Sequence, residues 1–233
     1  MLDTTNITNL SFAIFTIDDF TRRRAVGKVD VFLKRGLEES PAILNPSGYY
    51  LFLNIAGDLA EIVIRSDNYF EINETINLEE RRRDDPSFAM HPVIPYALIP
   101  NSAYPFSSNT TLIRGTVKSA RTSTTDPVEK PISNAVVKID KRVGSTANSG
   151  KNISCKTDTN GNFVLFLKDL SSEDVHNEKE NGVTKSFIKF EGGLTFKLIV
   201  EHPEYEQYTS ESSFEKLQEG RLRPIPKILL TKE

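Results

Sequence analysis

Almost every apolar stretch of the chain has period two. Val29-Asp30-Val31-Phe32-Leu33 alternates, while Tyr50-Leu51-Phe52-Leu53-Asn54-Ile55 and Glu61-Ile62-Val63-Ile64-Arg65 are short apolar runs. Side chains alternate between faces along a strand, so this period fits a pleated sheet and not a helix. Runs of the same kind are Ser11–Ile17, Phe70–Leu78, Leu112–Ser119, Ala135–Asp140, Ile153–Thr157, Asn162–Leu167, Ser186–Phe190, Thr195–Glu201 and Lys227–Leu230. No segment sustains a helical period. Ser171–Val175, with serine caps and early acids, and Ser213–Gln218 are each long enough for one turn. Many short strands joined by Gly, Pro and Asn turns predict an all-β chain of antiparallel sandwiches.

The chain also repeats itself. The first copy has a strand at Ala25–Phe32, then Ser47-Gly48 leading into Tyr49–Leu53, then Ile62–Arg65 closed by a turn and Tyr69. The second has Ile132–Ile139, then Asn160-Gly161 leading into Asn162–Leu167, then Lys197–Glu201 closed by a turn and Tyr205. In both, Gly supplies the positive φ of a reversal. The aromatic two residues beyond it, Tyr50 or Phe163, is placed to enter the core. The repeat predicts two tandem Ig-like or prealbumin-like sandwiches, residues 1–105 and 106–233. The second is longer by an insertion at about 171–193, with Ser186–Phe190 and Thr195–Glu201 expected to form a hairpin on Gly192-Gly193. Glu79–Pro86 and the prolines at 92, 95, 100 and 105 predict an extended, semi-rigid linker over about 79–105. Within it, Tyr96-Ala97-Leu98-Ile99 is expected to complete the first sandwich.

Composition narrows the function. At 38% hydrophobic residues the chain has enough apolar side chains for a core. Lys plus Arg number 29 against 32 Asp plus Glu, which argues against a nucleic-acid binder. No apolar run reaches membrane-spanning length, so no membrane insertion is expected. The polar start, Met1–Asn6, lacks the pattern of a signal peptide, and Cys155 has no partner for a disulfide, so cytoplasmic synthesis is expected. His91, His176 and His202 fit no metal-ligand spacing. Asp158-Thr159-Asn160-Gly161 starts like a calcium loop but lacks the rest, and reads as an Asx-stabilised turn. Asp18-Asp19 and Asp84-Asp85 read as solvated loop residues, and Cys155 as a small core residue without a base. No residue is assigned to catalysis, cofactor binding or metal binding.

Two features remain as candidate partner contacts. Arg22-Arg23-Arg24 and Arg81-Arg82-Arg83 are either solvated turns or docking patches for an acidic surface, since guanidinium pairs with carboxylates in a fork. Flanking acids disfavour phosphate. The segment 92–106, with Tyr96, Tyr104 and Phe106, is either packed within the chain or an exposed interface to another subunit.

Leu112-Ile113-Arg114-Gly115-Thr116-Val117, Pro131–Val137 and Thr157–Phe163 resemble the carboxypeptidase regulatory-like domain over about residues 109–233. The first copy lacks the Thr-Asp before its Gly and matches less well. The resemblance implies a transthyretin-like seven-strand sandwich and an accessory, non-catalytic role in scaffolding or adhesion. Ala97–Pro100, Tyr104-Pro105-Phe106 and Thr111–Gly115 also resemble cap or adaptor components of contractile injection systems, the phage-tail-like particles. Together these readings predict a non-enzymatic structural or adaptor protein without cofactors, contacting other protein subunits and forming an oligomer within a particle. A carbohydrate- or surface-ligand-binding module is the alternative, disfavoured by the absence of Trp.

Overall fold

The computed structural model of the chain describes residues 9–120, 128–144, 152–211 and 213–232; Met1–Asn6 lies outside them. The chain is all-β and divides into two compact units, Met1–Tyr104 and Pro105–Glu233.

In the first unit the elements are β1 (Leu10–Asp18), β2 (Asp30–Arg35), β3 (Glu38–Pro41), β4 (Ile43–Leu44), β5 (Tyr49–Leu53), β6 (Leu59–Arg65), β7 (Ile72–Asn77), α1 (Leu78–Asp84), a 3-10 turn at Pro86–Ala89, and β8 (Val93–Leu98). They form two sheets, ordered β4-β5-β1-β8 and β3-β2-β6-β7. Neighbours are antiparallel except β8, which runs parallel to β1. One face of each sheet is apolar and buried. Phe12, Ile14, Tyr50, Phe52, Ile94 and Leu98 come from the first sheet, and Val31, Leu33, Ile62, Ile64 and Ile76 from the second. Each such side chain contributes roughly 1.5–3 kcal/mol when withdrawn from water.

The second unit comprises β9 (Thr111–Ser119), β10 (Val136–Ile139), β11 (Ser154–Lys156), β12 (Asn162–Leu167), β13 (Val175–Glu180), β14 (Val183–Ile188), β15 (Thr195–Phe196), β16 (Leu198–His202), β17 (Tyr205–Thr209), β18 (Phe214–Glu215), β19 (Leu222–Pro224) and β20 (Ile228–Leu230). One sheet is ordered β11-β10-β16-β17; the other is β12-β9-β19, with β20 also parallel to β9. The repeat in the sequence is a repeat of topology. β2 and β10 each pair antiparallel with β6 and β16. The strands after the Gly turns, β5 and β12, pair antiparallel with the first strand of their unit, which then takes the last strands in parallel. Tyr50 and Phe163 are buried, as their distance from Gly predicts.

Gly161 shows why that turn takes no other residue. Its φ is +74°, and a Cβ there would stand 2.3 Å from the Val117 carbonyl oxygen. Asp158 holds the turn, its Oδ1 accepting from the amides of Asn160 (2.8 Å) and Asn162 (2.9 Å).

Three local expectations are corrected. Residues 79–105 are not an extended linker: α1, a 3-10 turn and β8 fill most of that stretch. Asn77 caps α1 by accepting from the Glu80 amide (3.1 Å), Glu79 and Glu80 sit in its first turn and Arg81–Arg83 in its last. That charge order favours a helix dipole and overrides the prolines, which fall outside the helix. The hairpin of the insertion pairs β13 with β14 across Asn181-Gly182, both at positive φ, and not Ser186–Phe190 with Thr195–Glu201. Two residues at positive φ match the twist of a two-residue hairpin, whereas Gly192-Gly193 closes only an isolated bridge between Phe190 and Gly193. Finally, Ser213–Gln218 is no helical turn. Phe214–Glu215 pairs with β15, and Lys216 at φ +39° ends the strand.

Candidate functional site

β1 places Phe12, Ile14, Thr16 and Asp18 on one face, and all four are buried. Asp18 was expected to be solvated; it is 0% exposed. Its Oδ1 accepts from the amides of Phe20 (2.8 Å) and Thr21 (3.1 Å). Its Oδ2 accepts from the hydroxyls of Tyr69 (2.9 Å) and Tyr104. The Tyr69 oxygen in turn accepts from the Val26 amide (2.9 Å), and the Tyr69 and Tyr104 rings meet edge to face at 5.6 Å. Burial, then hydrogen bonding and the Asp18 charge, push both phenols up, Tyr69 to about 12. Four donors on one carboxylate make a structural knot, which fixes the turn after β1 and ties it to the last residue of the unit.

That turn carries the first arginine triplet. Arg22 is at φ +59° and pairs with Asp19 (2.9 Å). The Arg24 guanidinium lies against Gly48, 2.7 Å from where a Cβ would stand. Arg23 and Arg24 are exposed, and neither is joined to an acid by an ion pair among the described residues. The second triplet is on α1. Arg82 pairs with Asp58 (3.1 Å), and Arg83 with Asp84 (3.1 Å) and Glu80 (3.7 Å). Asp58 precedes β6 and Tyr69 follows it, so the two triplets lie at opposite ends of the first unit, about 20 Å apart along seven residues of strand.

The aromatic candidates are mostly internal. Tyr96 (8% exposed) and Tyr104 (5%) belong to the core of the first unit, so their rings offer no surface to a partner. The buried Tyr96 hydroxyl has no hydrogen-bond partner of good geometry among the described residues, and burial, then the neighbouring Glu74 carboxylate, push its pKa up. Phe106 is half-buried on the second unit, 5.4 Å from the Phe166 ring and with the Arg114 guanidinium 5.6 Å from its centroid.

Groups with chemical potential elsewhere are held in structural roles. Cys155 packs against the core of the second unit, and burial pushes its thiol up to about 12. Thr157, 1% exposed, accepts from the Ala135 amide (2.9 Å) and donates to the Ile132 carbonyl (2.7 Å). Among the described residues no group of His, Cys, Asp and Glu is arranged to hold a metal ion, and no helix is long and apolar enough to cross a membrane. A shallow depression of about 340 Å³, lined by His176, Lys189, Phe190, Gly192, Gly193 and Leu194, lies open to solvent.

The outer faces of the first unit's two sheets differ in kind. On the β3-β2-β6-β7 sheet, Lys34 pairs with Glu61 (2.6 Å), and Arg65 forks onto Glu39 (2.6 and 2.7 Å) and reaches Glu71 (3.2 Å). On the β4-β5-β1-β8 sheet, register aligns Ile43, Leu51, Ala13 and Val93 in one row. The next row is Tyr49, Phe15 and Pro95, followed by Ile17 beside Ala97. No residue in these rows is charged. Sequence reasoning missed this face, though Tyr49–Leu53 is apolar at every position, the signal of a strand covered on both sides.

No protein-family model matches the chain, so the carboxypeptidase regulatory-like resemblance rests on its short motifs. No curated protein matches either. Among solved structures, the chain is similar to a Streptococcal ancillary pilin, at 11% identity and a TM-score of 0.28 over 99% of this chain and 64% of that one. It is similar to the Bacillus anthracis TIE protein at 10% and 0.28, over 95% and 34%. A double mutant of the shaft pilin SpaA from Lactobacillus rhamnosus GG gives 10% and 0.27, over 95% and 96%. The chain spans less than two thirds of the first two. The likeness is one of β-sandwich architecture, at identities that carry no function across.

Proposed function

We propose that this chain is a non-enzymatic structural protein that contacts other protein subunits in a larger assembly. The supporting observation is how its chemically capable groups are used. Asp18 is saturated by four donors, and the Cys155 thiol is turned into a core that disfavours the thiolate. Two sandwiches of paired sheets make stiff spacers. Arg23 and Arg24 are exposed cations at one end of the first unit. They suit an acidic partner surface, which guanidinium recognises in a fork. The finer form of this reading, the cap or adaptor of a contractile injection particle, is supported by the sequence resemblance.

The test is capture from the native host followed by mass spectrometry, using the wild-type chain and a variant with Arg22, Arg23 and Arg24 all changed to Glu. Co-purified subunits of one assembly, lost in the variant while its melting curve stays intact, is the expected result. Unchanged capture by the variant removes the arginine turn as a contact. Sheath, tube or baseplate subunits in the captured set support the finer reading, and their absence from an otherwise defined assembly rejects it.

A further inference from the structure

We infer that the outer face of the β4-β5-β1-β8 sheet is a self-association surface, which stacks on the same face of a second copy of this chain. This goes beyond the proposed function, because it needs no other protein. An antiparallel sheet with one face in the core ordinarily turns polar residues to water, as the other sheet of this unit does with its Arg65 and Lys34 ion pairs. The first sheet breaks that rule over its three rows, leaving Ile43 (55%) and Val93 (38%) exposed at its two sides. The rings of Phe15 and Tyr49, 5.2 Å apart, lie in the middle row.

The occupant follows from charge, edges and area. A two-fold contact sets each residue against its own surroundings in the other copy, so charge on the face brings like charges together. This face has none, although the chain carries a net charge of −3. The sheet's edges are poor sites for strand addition: β4 has two residues, and Pro95 removes a donor from the middle of β8. The face is what remains to be covered. Four strands about 4.8 Å apart and about 20–30 Å long present on the order of 400–500 Å². Two stacked copies therefore bury on the order of 1,000 Å², at the lower bound for a specific contact. Aligned stacking about 10 Å apart at roughly −30° is the geometry that twisted sheets adopt. The dimer is weak and reversible, with a Kd on the order of 10–100 μM.

Sedimentation velocity on the purified full chain, from about 5 to 500 μM, spans that range. The expected result is a concentration-dependent monomer–dimer equilibrium. Ile43→Lys with Val93→Lys places cations at two already exposed positions and shifts the Kd at least tenfold. Leu37→Lys, on the fully exposed tip between β2 and β3, leaves it unchanged. Melting curves that match wild type show that the variants are folded. A wild-type chain that remains monomeric to about 500 μM overturns the proposal. So does a dimer that survives the double substitution. Capture of other subunits through the arginine turn is a separate readout and is untouched by either result.

Discussion

Replacing Asp18 by Ala removes the acceptor for four donors at once. The amides of Phe20 and Thr21 lie on a partly exposed turn and can recruit water. The Tyr69 and Tyr104 hydroxyls are on side chains 2% and 5% exposed, and each buried donor left unmatched costs about 1–3 kcal/mol. Two such groups give about 2–6 kcal/mol. Relief from burying a carboxylate offsets part of this and leaves a net loss of about 3 kcal/mol. For a unit of this size, that lowers Tm by about 12–24 °C. The assay is differential scanning calorimetry, with peptide-resolved hydrogen exchange assigning the shifted transition to residues 9–104. Asp18→Asn keeps the volume but turns an amide nitrogen toward donors, and loses less. Asp19→Ala, which removes one surface ion pair with Arg22, costs about 0–1 kcal/mol. If Asp18→Ala costs no more than Asp19→Ala, the carboxylate does not hold this end of the unit and the reasoning fails.

Other outcomes follow from single residues. Gly161→Ala meets both a +74° φ and the Val117 carbonyl and destabilises the second unit by more than about 2 kcal/mol; Gly57→Ala, at +82° with open space around it, costs about 1 kcal/mol, as denaturant melts of the two variants will show. Tyr69 ionises at about 12 when folded and near 10 when unfolded. Its contribution is therefore complete below pH 10 and is lost as pH rises through about 12, by about 1.4 kcal/mol per unit, and Tyr69→Phe flattens that part of the stability–pH curve. Cys155, with its thiol pushed up to about 12, resists alkylation at neutral pH until the second unit is unfolded by urea, and fast labelling of the native chain counts against its placement.

The strands were legible because a half-buried strand writes its burial into alternate residues, as Val29–Leu33 does. The repeat was legible because a Gly turn followed two positions later by a buried aromatic imposes the same local demand in each unit. What escaped reading was cooperative across distance. Asp18 looks solvated beside Asp19, yet it shares parity with Phe12, Ile14 and Thr16, and that parity already pointed it inward. Its partners are 51 and 86 positions away, beyond any local pattern. The helix α1 was hidden by prolines that flank it, although Asn77, the two following glutamates and the three arginines spell a capped, charge-ordered turn. Asn181-Gly182 was the stronger hairpin signal within the insertion, and Gly192-Gly193 drew attention from it. The apolar face could be read only once register had aligned Ile43, Leu51, Ala13 and Val93 across four strands.

The parallel pairing of β8 with β1 bears on how the chain is made. Ala13 meets Val93 eighty positions later, and Asp18 waits for Tyr104. As the polypeptide emerges from the ribosome, the first strand has its neighbour β5 early, but its other side stays open until nearly the whole unit is out. Contacts of such long separation form slowly, and an open strand side in a nascent chain invites pairing with a neighbouring nascent chain. The second unit is arranged alike, since β9 receives β19 and β20 from the last twelve residues of the chain. Each unit is latched by its own final residues, so a ribosome that stalls just short of either latch releases a sandwich with its first strand unguarded.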